Sequence, residues 1–191
     1  MTKQQIFIRG GVFLDIGCGN GFFSNVLIQD GLDVFGVDYD KELIDIANLT
    51  YRKNSGNKDE RFYVSDIGEK RLPDPISSNS FSCILSTEVI EHLYSPDNYL
   101  SFCHSILEDR GTIIISTPYH GWLKNVLIAV TNRWDYHHRT LLEGSHIKFF
   151  SKITLRSIIE RNGFRIRKMY GIGRVPFLWN SIICVSEKVE D

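Results

Sequence analysis

The chain has 191 residues, of which 42% are hydrophobic and 24% charged, and its formal net charge at pH 7 is −1. This length suits a single domain over residues 1–191, and the hydrophobic content excludes a chain that is disordered throughout. The near-neutral charge of the whole chain argues against nucleic acid as a partner. Because we find no apolar stretch long enough to span a membrane and no signal peptide, we expect a cytoplasmic protein.

The first predicted element is a strand that runs into a glycine-rich turn. Residues 12–21 read V-F-L-D-I-G-C-G-N-G, an apolar run interrupted by Asp15 and followed by Gly17, Gly19 and Gly21. The run is typical of a central strand in a parallel sheet, and the glycines permit positive φ and close approach of a ligand to the backbone. The helix predicted over Phe22–Gln29 presents unpaired N–H groups to the same place. We therefore expect a nucleotide-like cofactor at this turn.

The spacing of the glycines argues against a dinucleotide. The dinucleotide motif requires a third small residue where this sequence has Phe22. The carboxylate of Asp15 would also repel a pyrophosphate, whereas it would attract a sulfonium or an ammonium group. A cofactor with a positively charged sulfur fits these residues better than a nicotinamide cofactor does.

The rest of the sequence alternates between predicted strands and helices. Further strands are predicted at 33–38, 62–65, 81–86, 112–116, 164–170 and 181–186. Helices are predicted at 41–51, capped by Asp40, from a cap at Ser95 to about Leu107, and at 123–130 and 150–162. Such alternation predicts βαβ units and an α/β fold with a mostly parallel sheet.

The motif Asp15-x-Gly17-x-Gly19-x-Gly21 resembles the first motif of class I S-adenosylmethionine-dependent methyltransferases. Acidic residues at the ends of later strands match the same family in order, which makes the resemblance specific. The resemblance implies a Rossmann-like three-layer sandwich. Its seven-stranded sheet would have the order 3-2-1-4-5-7-6, with strand 7 antiparallel.

The resemblance also implies which residues bind S-adenosylmethionine. Asp38, with Tyr39 beside it, would bind the ribose hydroxyls, and Asp66 with Ile67 would meet the adenine. Thr87 would line the methionine end of the cofactor. The methionine part would also contact the glycine turn, which comprises Asp15, Gly17, Cys18, Gly19 and Gly21.

Glu88, Glu91 and His92 form an E-x-x-E-H pattern after the fourth strand. At this spacing the three side chains would share one face of a helical turn. The pattern is similar to that of ubiquinone-pathway O-methyltransferases and small-RNA 2′-O-methyltransferases, which bind a divalent cation. The latter add a later histidine, for which His146 is the candidate, and such ligands suit Mg²⁺ or Mn²⁺. Metal-free relatives carry the same pattern, and in them the histidine orients the loop or acts as a base.

The segment 117–150 follows the fifth strand and is rich in aromatic residues and histidines. Its composition predicts a substrate lid. The alternatives are an interface in a homodimer and ordinary packing of a protruding hairpin. His120 lies just past the strand and joins His92 and His146 as a catalytic candidate near the methyl acceptor. We expect His137 and His138 to be an exposed pair.

The sequence therefore predicts an S-adenosylmethionine-dependent methyltransferase that modifies an oxygen of a small-molecule acceptor. A metal-dependent RNA 2′-O-methyltransferase is one alternative, because segment 148–174 is strongly basic. A partner subunit that binds S-adenosylmethionine without catalysis is the alternative outside enzymes.

Overall fold

The computed structural model describes residues 11–77, 80–138 and 145–190. Within these ranges the strands are β1 (Val12–Ile16), β2 (Asp33–Asp38), β3 (Phe62–Val64), β4 (Phe81–Thr87), β5 (Leu107–Pro118), β6 (Phe164–Ile172) and β7 (Ser181–Lys188). The helices are α1 (Phe22–Gln29), α2 (Lys41–Ser55), α3 (Pro96–Ile106), α4 (Trp122–Val130), α5 (Trp134–His138) and α6 (Lys152–Arg161).

The strands form one sheet with the predicted order β3-β2-β1-β4-β5-β7-β6. Neighbouring strands from β3 to β5 are parallel, and β7 runs antiparallel to both β5 and β6. The predicted Rossmann-like topology is therefore confirmed. In such a sheet the parallel strands end at one edge, which is where ligands bind in this class of fold.

Helices cover both faces of the sheet, as the burial of consecutive residues along β1 requires. Phe13 packs with Val34 and Cys83 under residues of α1, while Leu14 and Ile16 belong to a larger cluster that includes residues of α3 and α6. Successive residues of a strand point to opposite faces, so both neighbours are buried only when each face is covered. The fold is a three-layer sandwich in which β1 is an interior strand of the sheet, between β2 and β4.

Helix α2 begins where the sequence predicts and ends later. The carboxylate of Asp40 accepts hydrogen bonds from the backbone N–H groups of Glu42 and Leu43, which caps the first turn. The prediction that this helix ends at residue 51 is wrong, because it continues to Ser55. It stops there because Gly56 adopts φ 69° and donates its N–H to the carbonyl of Arg52.

Strand β5 is longer than predicted. It starts at Leu107, which pairs with Phe81, whereas the sequence places its start at residue 112. The register shifts between Phe81 and Cys83, so the pairing of β4 with β5 is irregular near Leu107 and becomes regular from Thr112 onward. The glycine and charged residues in this first part obscure the strand in the sequence.

The described part of the segment between β5 and β6 carries helices α4, α5 and α6. Helix α4 matches its prediction to within one residue, and α6 begins at Lys152 after a capping box formed by Ser151 and Thr154. Residues 139–144, which belong to the predicted lid, lie outside the described residues. Among the residues that the structure describes, no helix is long and apolar enough to cross a membrane.

Candidate active site

The glycine turn after β1 has the backbone conformation that its sequence predicts. Gly17, Gly19 and Gly21 have φ angles of 72°, 52° and 71°. A Cβ at Gly17 would lie 2.4 Å from Cγ2 of Val89, whereas a Cβ at Gly19 would have no heavy atom within 4 Å. Gly17 is therefore required by packing as well as by its φ angle, and Gly19 borders open space where a ligand can approach.

Asp38 connects the end of β2 to this turn. One carboxylate oxygen, Oδ2, accepts a hydrogen bond of 2.8 Å from the N–H of Gly19, and Oδ1 accepts one of 3.0 Å from the N–H of Asp40. The N–H groups of Gly17 and Cys18 both donate to the carbonyl of Val37. The turn is thus held in place by the neighbouring strand.

A cavity of about 900 Å³ opens where β1, β2, β3 and β4 end. Eight of the predicted site residues line it: Gly17, Asp38, Tyr39, Asp66, Ile67, Glu88, His92 and His146. Sequence reasoning missed its apolar walls, which are Ile16, Val37, Leu43, Val89, Leu93, Tyr94, Ile147 and Phe149. Their only signal is proximity in sequence to the acidic and histidine motifs. The predicted residues Asp15, Cys18, Gly19, Gly21, Thr87, Glu91 and His120 are not part of the lining.

Asp15 lies behind the glycine turn. Its side chain is 2% exposed and accepts a hydrogen bond of 2.5 Å from Oγ of Ser24 in α1. Burial raises the pKa of Asp15 to about 6, and the nearby charge of Asp38 acts in the same direction while the bond from Ser24 opposes it. Asp15 therefore connects β1 to α1.

Cys18 also points away from the cavity, because it packs against the cluster that contains Ile44 and Phe62.

Glu91, His92 and His146 come together beside the cavity. Each offers a ligand atom, and these atoms all lie within 4.8 Å of one another. Glu91 is fully buried; its Oε2 accepts a hydrogen bond of 3.0 Å from Oγ1 of Thr117, while Oε1 has no hydrogen-bond partner among the described residues. Burial raises the pKa of Glu91 to about 7. One carboxylate oxygen and two imidazoles are suitable ligands for a divalent cation.

Contacts across the loop hold His146 in this cluster. The N–H groups of Ile147 and Lys148 both donate to the carbonyl of Glu91, at 3.0 and 2.9 Å. The rings of His92 and His146 meet edge to face with their centroids 4.9 Å apart, and Nε2 of His146 lies 3.9 Å from Oε1 of Glu91. The sequence resemblance had paired His146 with this motif, and the structure brings them together.

Glu88 does not share a helical turn with Glu91 and His92, and that prediction is wrong. Its φ angle is 56°, and the 3₁₀ turn that carries the other two starts only at Ile90. Glu88 instead accepts a hydrogen bond of 2.8 Å from Oγ of Ser116 through Oε1. The left-handed backbone at Glu88 interrupts the helical spacing, so this carboxylate lines the cavity outside the group of three.

His120 does not line the cavity but contacts Phe149, which does. It is 8% exposed, and its ring meets the ring of Phe149 edge to face with centroids 4.8 Å apart. The ring of His137 lies 5.9 Å from the ring of His120. His137 is therefore partly buried, and the expectation that it is exposed is wrong; the side chain of His138 lies outside the described residues. The lid function of residues 117–150 stays a prediction.

Comparisons with known proteins agree with this fold. The sheet order and the glycine turn define a class I S-adenosylmethionine-dependent methyltransferase. Residues 4–169 match the family model described as a methyltransferase domain, and the chain belongs to that family.

Two ubiquinone biosynthesis O-methyltransferases are similar to the chain. The protein of Coxiella burnetii is 27% identical over 176 residues, which cover 91% of this chain and 72% of that protein. The human mitochondrial protein is 27% identical over 172 residues, but the chain spans only 46% of its length. Magnesium protoporphyrin IX methyltransferase from Synechocystis PCC 6803, solved with bound SAH, has a TM-score of 0.71 at 20% identity and covers 95% of this chain and 76% of its own.

Proposed function

We propose that the chain transfers a methyl group from S-adenosylmethionine to a hydroxyl oxygen of a small aromatic acceptor, assisted by Mg²⁺ or Mn²⁺. The observation that carries this proposal is that one cavity borders both a candidate donor site and a candidate cation site. Asp38 and Asp66 line it at the ends of β2 and β3, and the group of Glu91, His92 and His146 lies beside it next to β4. Since β1 separates β3 and β2 from β4 in the sheet, donor and acceptor would approach each other across the glycine turn.

The donor would occupy the side formed by β1, β2 and β3. The carboxylate of Asp38 would accept hydrogen bonds from the ribose hydroxyls, with Tyr39 beside it, and Asp66 and Ile67 would contact the adenine. The methionine part would lie along the glycine turn, next to Gly17 and the open space at Gly19. Asp15, Cys18 and Gly21 do not line the cavity and would shape the turn from its protein side. Thr87 would position the loop that follows β4.

The group of Glu91, His92 and His146 suits a divalent cation. The main observation is the buried Oε1 of Glu91, which lacks a hydrogen-bond partner among the described residues and would be satisfied by a cation. A bound cation would supply a lower pKa for an acceptor hydroxyl. Thr117 holds the other carboxylate oxygen, and the loop contacts to the carbonyl of Glu91 hold His146, so the chain itself orients the ligands.

The apolar walls favour an aromatic acceptor. Leu93, Tyr94, Ile147 and Phe149 surround the cavity near the proposed cation ligands. Aromatic rings stack well on such side chains, and methyl transfer depends mainly on holding the acceptor oxygen in line with the methyl group. The ubiquinone biosynthesis O-methyltransferases to which the chain is similar support oxygen as the acceptor atom.

The basic segment gives little support to the RNA alternative. Arg156, Arg161 and Arg167 form ion pairs with Glu160, Asp97 and Glu187. Cations that are paired within the protein are less available to phosphates, so the segment is a weaker polyanion site than its sequence indicates.

Transfer of a tritiated methyl group tests the proposal. The purified chain is incubated with labelled S-adenosylmethionine and, separately, with 4-alkylcatechols, 4-alkylphenols or small RNA duplexes, each with Mg²⁺, Mn²⁺ or a chelator. We expect label in the catechols and loss of transfer with the chelator. Label in RNA alone would support the RNA alternative, and tight binding of S-adenosylhomocysteine without any product would support the non-catalytic subunit. Either result would overturn the proposal.

A further inference from the structure

We propose that His120 is a positioning residue that fixes the acceptor wall through Phe149 and connects this wall to helix α5 through His137. The inference rests on the proposed function, because it treats Phe149 as an acceptor contact. It gives His120 a role different from proton transfer, although its place just after β5 first marks it as a catalytic candidate.

The backbone on both sides of Phe149 is held by hydrogen bonds. On one side, the N–H groups of Ile147 and Lys148 bind the carbonyl of Glu91. On the other, the carbonyl of Phe150 accepts a hydrogen bond of 2.9 Å from the N–H of His120. The side chain of Phe149 is 49% exposed and lines the cavity. With the backbone fixed in this way, the orientation of its ring depends on the side chains behind it.

His120 lies directly behind that ring. The two rings are inclined at 74° with centroids 4.8 Å apart, which is the preferred edge-to-face geometry. His120 is 8% exposed and is not among the residues that line the cavity, whereas Phe149 is. An imidazole in this position controls the shape of the wall more directly than it controls a proton.

His137 extends this contact to the segment that follows α4. Its ring lies 5.9 Å from that of His120 at an angle of 67°. Its backbone N–H donates to the carbonyl of Arg133, which places it in the first turn of α5. His120 therefore contacts both His137 of α5 and Phe149 of the cavity wall, and through these contacts a change in the position of α5 would reach the acceptor wall.

Steady-state kinetics separate positioning from catalysis. With a 4-alkylcatechol as acceptor, we expect His120→Ala to raise the KM for the catechol about fivefold to tenfold while kcat stays within about twofold. The KM for S-adenosylmethionine and the pH profile of kcat should not change. His120→Phe keeps a ring behind Phe149 and should restore most of the acceptor KM. A tenfold fall in kcat for His120→Phe, with loss of one limb of the pH profile, would instead identify His120 as a base and overturn the inference.

His104 supplies a matched control. Its ring meets that of Phe164 edge to face at 5.4 Å in a part of the core away from the cavity. His104→Ala removes the same kind of contact, so it should lower the stability without raising the KM for the catechol. If His104→Ala raises this KM as much as His120→Ala does, the rise reflects a general loss of packing in the fold, and the inference fails.

A second measurement does not depend on activity. We would replace Phe149 with 4-fluorophenylalanine and record its ¹⁹F NMR signal without acceptor. The signal should shift and broaden in His120→Ala, shift less in His137→Ala, and stay unchanged in His104→Ala. An unchanged signal in His120→Ala would overturn the inference. If the wild-type chain methylates no catechol but the signal responds as expected, the proposed acceptor is wrong while the contact between His120 and the wall stands.

Discussion

The carboxylate of Asp38 at the end of β2 accepts a 2.8 Å hydrogen bond from the backbone N–H of Gly19 in the turn after β1. This bond joins the two parts of the proposed donor site before any ligand arrives. Its partner oxygen accepts from the N–H of Asp40, so both carboxylate oxygens are oriented by the backbone. A carboxylate held in this way loses little conformational freedom on binding, which favours affinity.

We expect Asp38→Ala to weaken binding of S-adenosylhomocysteine by about tenfold to a hundredfold, because charge-assisted hydrogen bonds contribute about 1.5–3 kcal/mol. Isothermal titration calorimetry measures the change. Asp40→Ala is the control, since Asp40 caps α2 through the N–H groups of Glu42 and Leu43. It should lower the stability by about 1 kcal/mol and leave the affinity intact. Equal affinity of wild type and Asp38→Ala would contradict the assigned role.

Half of the residues predicted to bind the cofactor line the cavity, and the sequence signals for that half are local. The glycines at alternate positions and the acidic residues at strand ends match the family motifs in order, so the resemblance placed Gly17, Asp38 and Asp66. The orientation of Asp15 could not, because a strand residue faces one side or the other according to which layer covers it. Its neighbour Ser24 lies on α1, and only the packing of that helix shows the contact.

The acceptor side was harder to predict. The position of Glu88 depends on a left-handed backbone angle and on a hydrogen bond from Ser116, a residue on another strand. Spacing rules assume a regular helix and therefore place Glu88 beside Glu91. His120 and Phe149 come together only because the chain returns to the end of β5 after α4 and α5, where Tyr119 pairs with Phe150. Contacts made by such a return are not encoded in any local pattern.

Substitutions of two glycines should separate folding from cofactor binding. Gly19→Ala introduces a side chain at φ 52° with no neighbouring heavy atom within 4 Å, so we expect a loss of only about 1 kcal/mol in stability. Its methyl group would enter the space next to the turn, and the affinity for S-adenosylhomocysteine should fall at least about tenfold. Gly17→Ala should cost about 3 kcal/mol, because its Cβ would also collide with Val89.

Gly56 provides the control for Gly19. It has φ 69°, its added Cβ would also meet nothing within 4 Å, and it ends α2 away from the cavity. Chemical denaturation should show similar losses for Gly56→Ala and Gly19→Ala, and calorimetry should show weaker binding only for the latter. Unchanged affinity in Gly19→Ala would mean that the cofactor does not approach this turn.

Glu91→Gln tests the proposed cation site while preserving the shape of the side chain. The amide oxygen can still accept the hydrogen bond from Thr117, but the negative charge is lost. Loss of a residue that only hydrogen-bonds to a metal ligand typically weakens metal binding by about tenfold to a hundredfold. Because Glu91 would be a ligand itself, we expect Mn²⁺ binding to weaken at least about tenfold. Electron paramagnetic resonance of free Mn²⁺ measures this.

An exposed carboxylate provides the comparison for Glu91. Glu108→Ala removes one negative charge from the first part of β5 and should leave Mn²⁺ binding unchanged. If the wild-type chain and Glu91→Gln bind Mn²⁺ equally, Glu91 is not a ligand of the cation and the proposed site is wrong.

Burial of Asp15 makes the stability of the fold depend on pH. The folded state raises the pKa of this carboxyl from 3.8 to about 6, so between these values the folded chain holds a proton that the unfolded chain has lost. Stability from this group is present below pH 4 and is lost as the pH rises through 6. Two pKa units correspond to about 3 kcal/mol, which is a large fraction of the stability of a domain.

We expect Asp15→Asn to be more stable than the wild-type chain at pH 8 by about 1–3 kcal/mol and to lose that advantage at pH 4. The amide has a similar shape and can still accept the hydrogen bond from Ser24, but it does not have to be ionised in a buried site. Urea denaturation at several pH values gives the difference between the two chains, in which the other titrating groups cancel. A variant less stable than wild type at pH 8 would show that the ionised Asp15 has polar partners strong enough to offset its burial.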